Sequence, residues 1–136
     1  MSFESADISP GLTGHVDAVV TEEMSAHHLG SGDVPVLATP AVVALIERAA
    51  LRALDRRLPD GLTTVGASVT LDHLAPTAVG VPVNAEARLE SVVEGRRLRF
   101  AVEVSDPAGV VARGTHVRVI VRRGGFLAAA ATRANP

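Results

Sequence analysis

Three side chains capable of acid–base chemistry stand between residues 39 and 73 of this 136-residue sequence. Thr39 opens a long apolar stretch, Glu47 is the single acid between residues 36 and 54, and His73 follows further along the chain. A carboxylate removed from water without a partner is strongly destabilised or becomes protonated. Glu47 therefore requires a partner from another element, a wet cleft or a chemical task. An imidazole that reaches the same cleft would complete a pair able to move protons.

The apolar stretch around Glu47 predicts a helix. Thr39 and Pro40 predict its start, as N-cap and first helical residue, and residues 59–61 (Pro-Asp-Gly) predict its end. Residues three and four positions from Glu47 carry no charge, so no ion pair within the helix is available to it. A direct Thr39–Glu47 hydrogen bond is not expected either, because eight helical residues rise about 12 Å. The predicted core face of this helix consists of Val42, Val43, Ile46, Ala50, Ala53 and Leu54.

Outside the helix, the apolar residues alternate with polar ones, as in strands that bury one face. Strands are predicted over residues 15–23, 63–77, 81–95, 96–109 and 110–123. Within 63–77, His73 shares the apolar face with Val65, Ala67, Val69 and Leu71, and Gly66 lies on the opposite face. One helix must cover the apolar face of the sheet, so the fold class is α+β, an antiparallel sheet wrapped around one long central helix. Residues 1–136 are expected to form one domain, with loose termini at 1–13 and 126–136.

The composition excludes several classes of protein. There is no cysteine, hence no disulfide, thiolate metal site or cysteine nucleophile. The net charge of −2 gives no global field for nucleic acid or acidic membranes. No His-rich zinc motif, phosphate-binding loop or nucleophile elbow occurs, so no metal site is predicted. The N-terminus lacks the basic region of a secretory signal and no apolar run is long enough to span a membrane. A cytoplasmic protein without nucleic-acid or membrane partners is expected.

The order and spacing of these residues resemble a known family. A first strand, a helix begun by Thr39, an acid eight residues later and a histidine 26 residues after that are similar to the hotdog-fold thioesterases, and within them to the fluoroacetyl-CoA thioesterase family. Further support comes from the segments LATPAVVALIERAA, HLAPTAVG, VEGRRL and RGTHVRV. The resemblance covers residues 15–125.

The resemblance implies a site and an activity. Thr39, Glu47 and His73 would be the catalytic residues, and Gly66 and Arg118 would line the substrate site. The family hydrolyses acyl-CoA thioesters without a metal or bound cofactor, and its protomers form homodimers with two sites at the interface. One departure is the segment 24–35, which holds no aromatic residue where the fluoroacetyl-specific enzyme carries a phenylalanine lid. A small or medium acyl-CoA substrate other than fluoroacetyl-CoA is therefore expected.

Other interpretations remain open at the level of sequence. Glu47 can be a helix acid paired with an arginine of a neighbouring element, His73 a half-buried structural histidine, and Thr39 an ordinary N-cap. Two other functions compete with the hydrolase, namely a non-catalytic acyl-CoA-binding protein and a hotdog enoyl-CoA hydratase. Such hydratases carry an Asp-x-x-x-x-His pattern, which the segment around His73 lacks.

Overall fold

A computed structural model describes residues 7–136 of the chain. Five antiparallel strands form one sheet in the spatial order β1-β3-β4-β5-β2. The strands are β1 (Thr13–Val19), β2 (Leu62–His73), β3 (Pro82–Val93), β4 (Arg97–Asp106) and β5 (Gly109–Arg122). The α-helices are the single turn α1 (Ala26–Leu29), the long α2 (Thr39–Ala53) and the C-terminal α3 (Arg123–Ala134), and a short 3-10 helix (Glu22–Met24) precedes α1. Within the described part of the chain, no helix has the length and apolar character needed to cross a membrane.

Helix α2 packs against the sheet and forms the centre of the core. Its buried side chains recur three and four residues apart, the period of a helix with one apolar face, and they are Ala41, Val42, Leu45, Ile46, Ala49, Ala50 and Ala53. Many are alanines, so helix and sheet approach closely. Gly14 of β1 belongs to the same contact, since a Cβ there would collide with the carbonyl oxygen of Ala49. The predicted central helix is thus confirmed, with Val43 half-buried rather than in the core.

A bulge in β2 corrects the predicted faces of this strand. Gly66 pairs with Arg118 and Ser68 with Val117, so Ala67 is an extra residue without a partner on β5. An extra residue reverses the alternation of side chains. Thr64 is consequently buried before the bulge and His73 is half-buried after it. Gly66 and His73 both face the helix side, although strict alternation had placed them on opposite faces.

Several predicted boundaries also differ from the structure. The N-cap of α2 is Ala38, and Thr39 is already helical. The helix ends at Ala53, before the Pro-Asp-Gly segment that was expected to stop it. The C-terminal segment, predicted to be loose from residue 126, continues α3 to Ala134, with no buried residue. Of the N-terminal arm, residues 1–6 lie outside the described residues, and β1 begins at Thr13.

Candidate active site

Thr39 and His73 form a hydrogen-bonded pair at the start of α2. The Oγ1 atom of Thr39 lies 2.8 Å from Nδ1 of His73, the last residue of β2. The predicted N-cap role of Thr39 is wrong, because Ala38 holds that position and no side chain caps the helix. The hydroxyl group is therefore free to bind the imidazole ring.

The second ring nitrogen of His73 is unpaired among the described residues. Its Nε2 atom is buried and makes no hydrogen bond with the described residues. Buried polar atoms without a partner are rare in proteins and often belong to functional sites. His73 also lines a cavity of about 240 Å³, together with the mainly apolar residues Val36, Leu37, Leu74, Ala75 and Pro76. A ligand in this cavity would find one polar nitrogen in a largely apolar wall.

Glu47 forms an ion pair with β5. Its Oε2 atom lies 3.4 Å from Nη1 of Arg118, whose side chain is 7% exposed, whereas that of Glu47 is 41% exposed. The expectation that Glu47 needs a partner from another element is met by this arginine. The Oε1 atom of the same carboxylate accepts no hydrogen bond from the described residues. One oxygen is therefore anchored, and the side chain as a whole remains partly exposed to solvent.

Arg118 is itself fixed by three further acceptors. Its Nε donates to Oγ1 of Thr64 at 2.9 Å, its Nη2 donates to the carbonyl oxygen of Thr64 at 3.1 Å, and its Nη1 lies 3.3 Å from Nε2 of His116. Burial lowers the pKa of the guanidinium group, and the neighbouring Glu47 opposes this effect. An arginine keeps its charge even so. Glu47 thus faces a cation whose orientation is set by the sheet.

Gly66 completes the surroundings of Glu47. It lies opposite Arg118 in the β2–β5 ladder, and a Cβ at this position would stand 2.7 Å from Oε2 of Glu47. Glycine leaves the space that the carboxylate occupies. The two residues that the resemblance assigned to the substrate site, Gly66 and Arg118, therefore both contact Glu47.

The candidate site consists of two clusters within one protomer. Thr39 and His73 form the first, which we call the hydroxyl–imidazole cluster, and Glu47, Arg118 and Gly66 form the second, the carboxylate cluster. The cavity beside His73 does not include Glu47 among its lining residues, so the expected pocket shared by the two side chains is not seen at this cavity. Along α2, eight residues separate the two clusters by about 12 Å. The alternative that pairs Glu47 with a neighbouring arginine is the observed one.

Two polar residues of the site escaped sequence analysis. Thr64 is 6% exposed and His116 is fully buried, and both bind Arg118. His116 and Arg118 are two residues apart on β5 and therefore share one face of the strand. This parity was visible in the sequence, but it becomes informative only once Arg118 is known to point inward.

Comparison with protein families shows to which family the chain is related. A family model described as fluoroacetyl-CoA-specific thioesterase, FlK, matches residues 20–124. The chain belongs to this family. The fluoroacetyl-CoA thioesterase of Streptantibioticus cattleyicolor is 37% identical to it over 86 residues, which are 63% of this chain and 61% of the relative. The match to this FlK-family relative thus spans less than two thirds of its length.

Solved structures extend the similarity over nearly the whole chain. A mutant of FlK solved in complex with acetyl-CoA superimposes with a TM-score of 0.86 at 30% identity, covering 95% of this chain and 100% of the other. A hot-dog-like protein from Thermanaerovibrio acidaminovorans gives a TM-score of 0.86 at 24% identity, covering 95% of both chains. The hotdog fold predicted from the sequence is confirmed. Within residues 7–136 of this FlK-family chain, no group of three or more His, Asp or Glu side chains is placed to hold a metal ion.

Proposed function

We propose that this FlK-family chain hydrolyses a small or medium acyl-CoA thioester to the free acid and CoA. The observation that carries the proposal is the 2.8 Å contact between Thr39 and His73. The Nε2 atom of this histidine has no partner within residues 7–136, and its ring lines an apolar cavity. A hydroxyl bonded to an imidazole with a free second nitrogen is a typical proton-transfer unit. The family and its solved relatives, one of them in complex with acetyl-CoA, support the same chemistry.

In this mechanism the hydrolysis consists of two proton transfers and a final step that restores both side chains. Oε1 of Glu47 takes a proton from water, whose oxygen then forms a bond to the thioester carbonyl carbon. As the carbon–sulfur bond breaks, the imidazolium form of His73 gives its proton to the leaving thiolate. Glu47 then releases its proton to solvent and His73 takes one up from solvent, so atoms and charges balance over the cycle. Arg118 keeps the carboxylate in place during these steps.

Thr39 and the first residues of α2 would stabilise the negative charge that develops on the carbonyl oxygen of the thioester. The first N–H groups of a helix have no partner within the helix, and they carry partial positive charge. At α2 the N-cap is Ala38, whose side chain cannot bind them. Pro40 has no N–H, so the N–H groups of Thr39 and Ala41, with the Thr39 hydroxyl, would stabilise an oxyanion. A mechanism in which Thr39 attacks the carbonyl, with His73 as its base, uses the same contact and is the second candidate.

We further propose a cytoplasmic homodimer in which the active site is shared. Strand β2 lies at one end of the sheet order and pairs only with β5 among the described strands. Its 12 residues leave a long row of unpaired backbone groups, which proteins cover or pair. A second copy along this edge would bring its carboxylate cluster towards the hydroxyl–imidazole cluster. The cytoplasm remains the proposed compartment because acyl-CoA is made and used there.

The acyl group is tested with a panel of thioesters. The segment before α2 holds no aromatic residue, so we expect acetyl- or medium-chain acyl-CoA to be cleaved without preference for fluoroacetyl-CoA. Released CoA is measured with a thiol reagent for acetyl, fluoroacetyl, medium-chain and aromatic esters. Loss of enoyl absorbance without thiol release would favour the hydratase, and binding without any turnover would favour the non-catalytic protein.

Glu47→Gln tests the assignment of the carboxylate in the same assay. The amide cannot accept a proton from water, so kcat should fall by about 100-fold or more. Glu90→Gln is the matched control, because Glu90 is also half exposed and lies 3.9 Å from an arginine. Comparable turnover in Glu47→Gln and wild type would remove Glu47 from the mechanism.

A further inference from the structure

His116 is a fully buried histidine that the proposed mechanism does not use. It lies on β5, and both of its ring nitrogens are engaged. Nδ1 lies 2.9 Å from the carbonyl oxygen of Ser68, and Nε2 lies 3.3 Å from Nη1 of Arg118. The ring also stacks on Phe100 of β4, with 6.3 Å between ring centroids. No solvent reaches it within the described chain.

The two partners define where the proton of His116 sits. A carbonyl oxygen only accepts hydrogen bonds, so Nδ1 must carry the hydrogen. A guanidinium group only donates, so Nε2 must present its lone pair. His116 is therefore neutral and held in the Nδ1–H tautomer. A second proton on Nε2 would turn this nitrogen into a donor that faces the donating Nη1 group of Arg118.

His116 connects the bulge of β2 to the carboxylate cluster. Ser68 directly follows the extra residue Ala67, and Gly66 directly precedes it. The same Nη1 atom that lies beside His116 also lies beside Oε2 of Glu47. This nitrogen consequently lies between the ring of His116, which fixes its position, and the carboxylate of Glu47, with which it forms the ion pair.

We propose that His116 is a positioning residue. Its neutral Nδ1–H form keeps Nη1 of Arg118 directed at Glu47, and protonation at Nε2 removes the contact that holds Nη1 there. The proposal rests on the proposed function of Glu47. His116 touches neither substrate nor reacting atoms, and it acts only through Arg118. Without an acceptor at Nε2, the planar guanidinium group keeps its two bonds to Thr64 but loses the contact that fixes its Nη1 edge, so the whole plane can tilt about Thr64 and move Nη1 away from the carboxylate.

The charges that face His116 favour the neutral form at pH 7. Burial lowers its pKa below the ordinary value of 6.5, the positive charge of Arg118 acts in the same direction, and the carbonyl of Ser68 and the charge of Glu47 oppose them. Phe100 and Gly66, which also lie beside the ring, carry no charge. Protonation therefore occurs only in acid solution, where we expect it to contribute to the acid limb of kcat.

Two substitutions separate the two nitrogens of His116. His116→Gln places an amide oxygen near the position of Nε2, so it still accepts from Arg118. His116→Asn places an amide nitrogen near Nδ1, so it still donates to Ser68 but leaves Arg118 without this acceptor. Hydrogen bonds to charged groups correspond to about a 10- to 100-fold change in rate. We expect His116→Asn to lose kcat by that factor at nearly unchanged KM, and His116→Gln to stay within about threefold of wild type.

The pH profile adds a readout that a purely structural role would not move. In His116→Gln, the contribution of residue 116 to the acid limb should disappear, because glutamine does not titrate. His15→Gln, at an exposed position on β1, is the matched control and should retain the wild-type profile. Equal losses of kcat in the two His116 variants, or wild-type kcat and acid limbs in both, would overturn the proposal.

A measurement on the wild-type protein decides the case even if both variants fail to fold. Nitrogen-15 spectra of labelled histidine distinguish a protonated Nδ1 from a protonated Nε2. We expect His116 to show Nδ1–H with an unprotonated Nε2 at pH 7. An Nε2–H tautomer, or a doubly protonated ring at that pH, would refute the positioning role. Because this readout needs no turnover, it is distinct from a failure of the proposed hydrolase function.

Discussion

Gly66→Ala should displace the carboxylate of Glu47 without unfolding the protein. The new Cβ would lie 2.7 Å from Oε2 of Glu47, whereas ordinary contact begins at 3.4 Å, so the oxygen must move by about 0.7 Å. A misplacement of about 1 Å at a reacting group costs roughly 100-fold in rate. We therefore expect kcat to fall by about 10- to 100-fold. Stability should change by less than about 1 kcal/mol, because Gly66 is not among the glycines with positive φ and the group it meets is a movable side-chain end.

Thiol release and thermal unfolding together test this prediction. Gly14→Ala is the matched control, because its Cβ would meet backbone atoms of α2 at Ala49 and Ala53 rather than a side chain. That variant should lose about 1–3 kcal/mol of stability while its folded fraction keeps its turnover. Wild-type kcat in Gly66→Ala would refute the placement of Glu47 beside Gly66. A large loss of stability in Gly66→Ala with normal turnover of the folded protein would do so as well.

Three other perturbations follow from the same contacts. Thr39→Val leaves Nδ1 of His73 without its partner and should lower kcat by about 10-fold or more, whereas Thr39→Ser should restore most of it; equal kcat in both variants would exclude the hydroxyl. Mixing Thr39→Ala with Glu47→Gln subunits should regain activity above either parent if the site is shared across a dimer, and no gain would place each site within one protomer. Below pH 6.5, residue 116 binds a proton in the unfolded chain but stays neutral in the folded protein, where burial lowers its pKa. The unfolding free energy should therefore fall with falling pH until His116 is protonated in the folded protein as well. Thermal melts at pH 7 and pH 5 should show this loss in the wild type and less of it in His116→Gln.

The fold followed from periodicity because each element has one strongly apolar face. Apolar residues spaced as on one helix face predicted α2, and alternating residues predicted the antiparallel strands that pair in the structure. The C-terminal helix was not predicted, although its alanines favour a helix, because the prediction relied on buried faces and this helix has no buried residue. Its sequence therefore lacks the apolar stripe on which the prediction of α2 depended.

The site was less visible because it depends on one irregularity and one buried cation. Binary alternation cannot show the extra residue Ala67, so Gly66 was assigned to the wrong face of β2. The need of Glu47 for a partner was deduced from its apolar neighbours. The resemblance placed Arg118 at the substrate site, but only the structure shows that it is the partner of Glu47, because nothing in an isolated strand indicates that an arginine points inward.

The two clusters lie apart in one protomer, yet the proposed hydrolysis requires the carboxylate and the imidazole to act on the same thioester. A double-mutant cycle on Glu47 and His73 tests this requirement most directly, with kcat measured for Glu47→Gln, His73→Asn and the double variant. Residues that act on one substrate as a unit show strongly non-additive losses. We predict that the double variant is about as slow as the slower single variant. Losses that multiply would mean that the carboxylate and the imidazole act independently, and they would contradict a single thioester held between them.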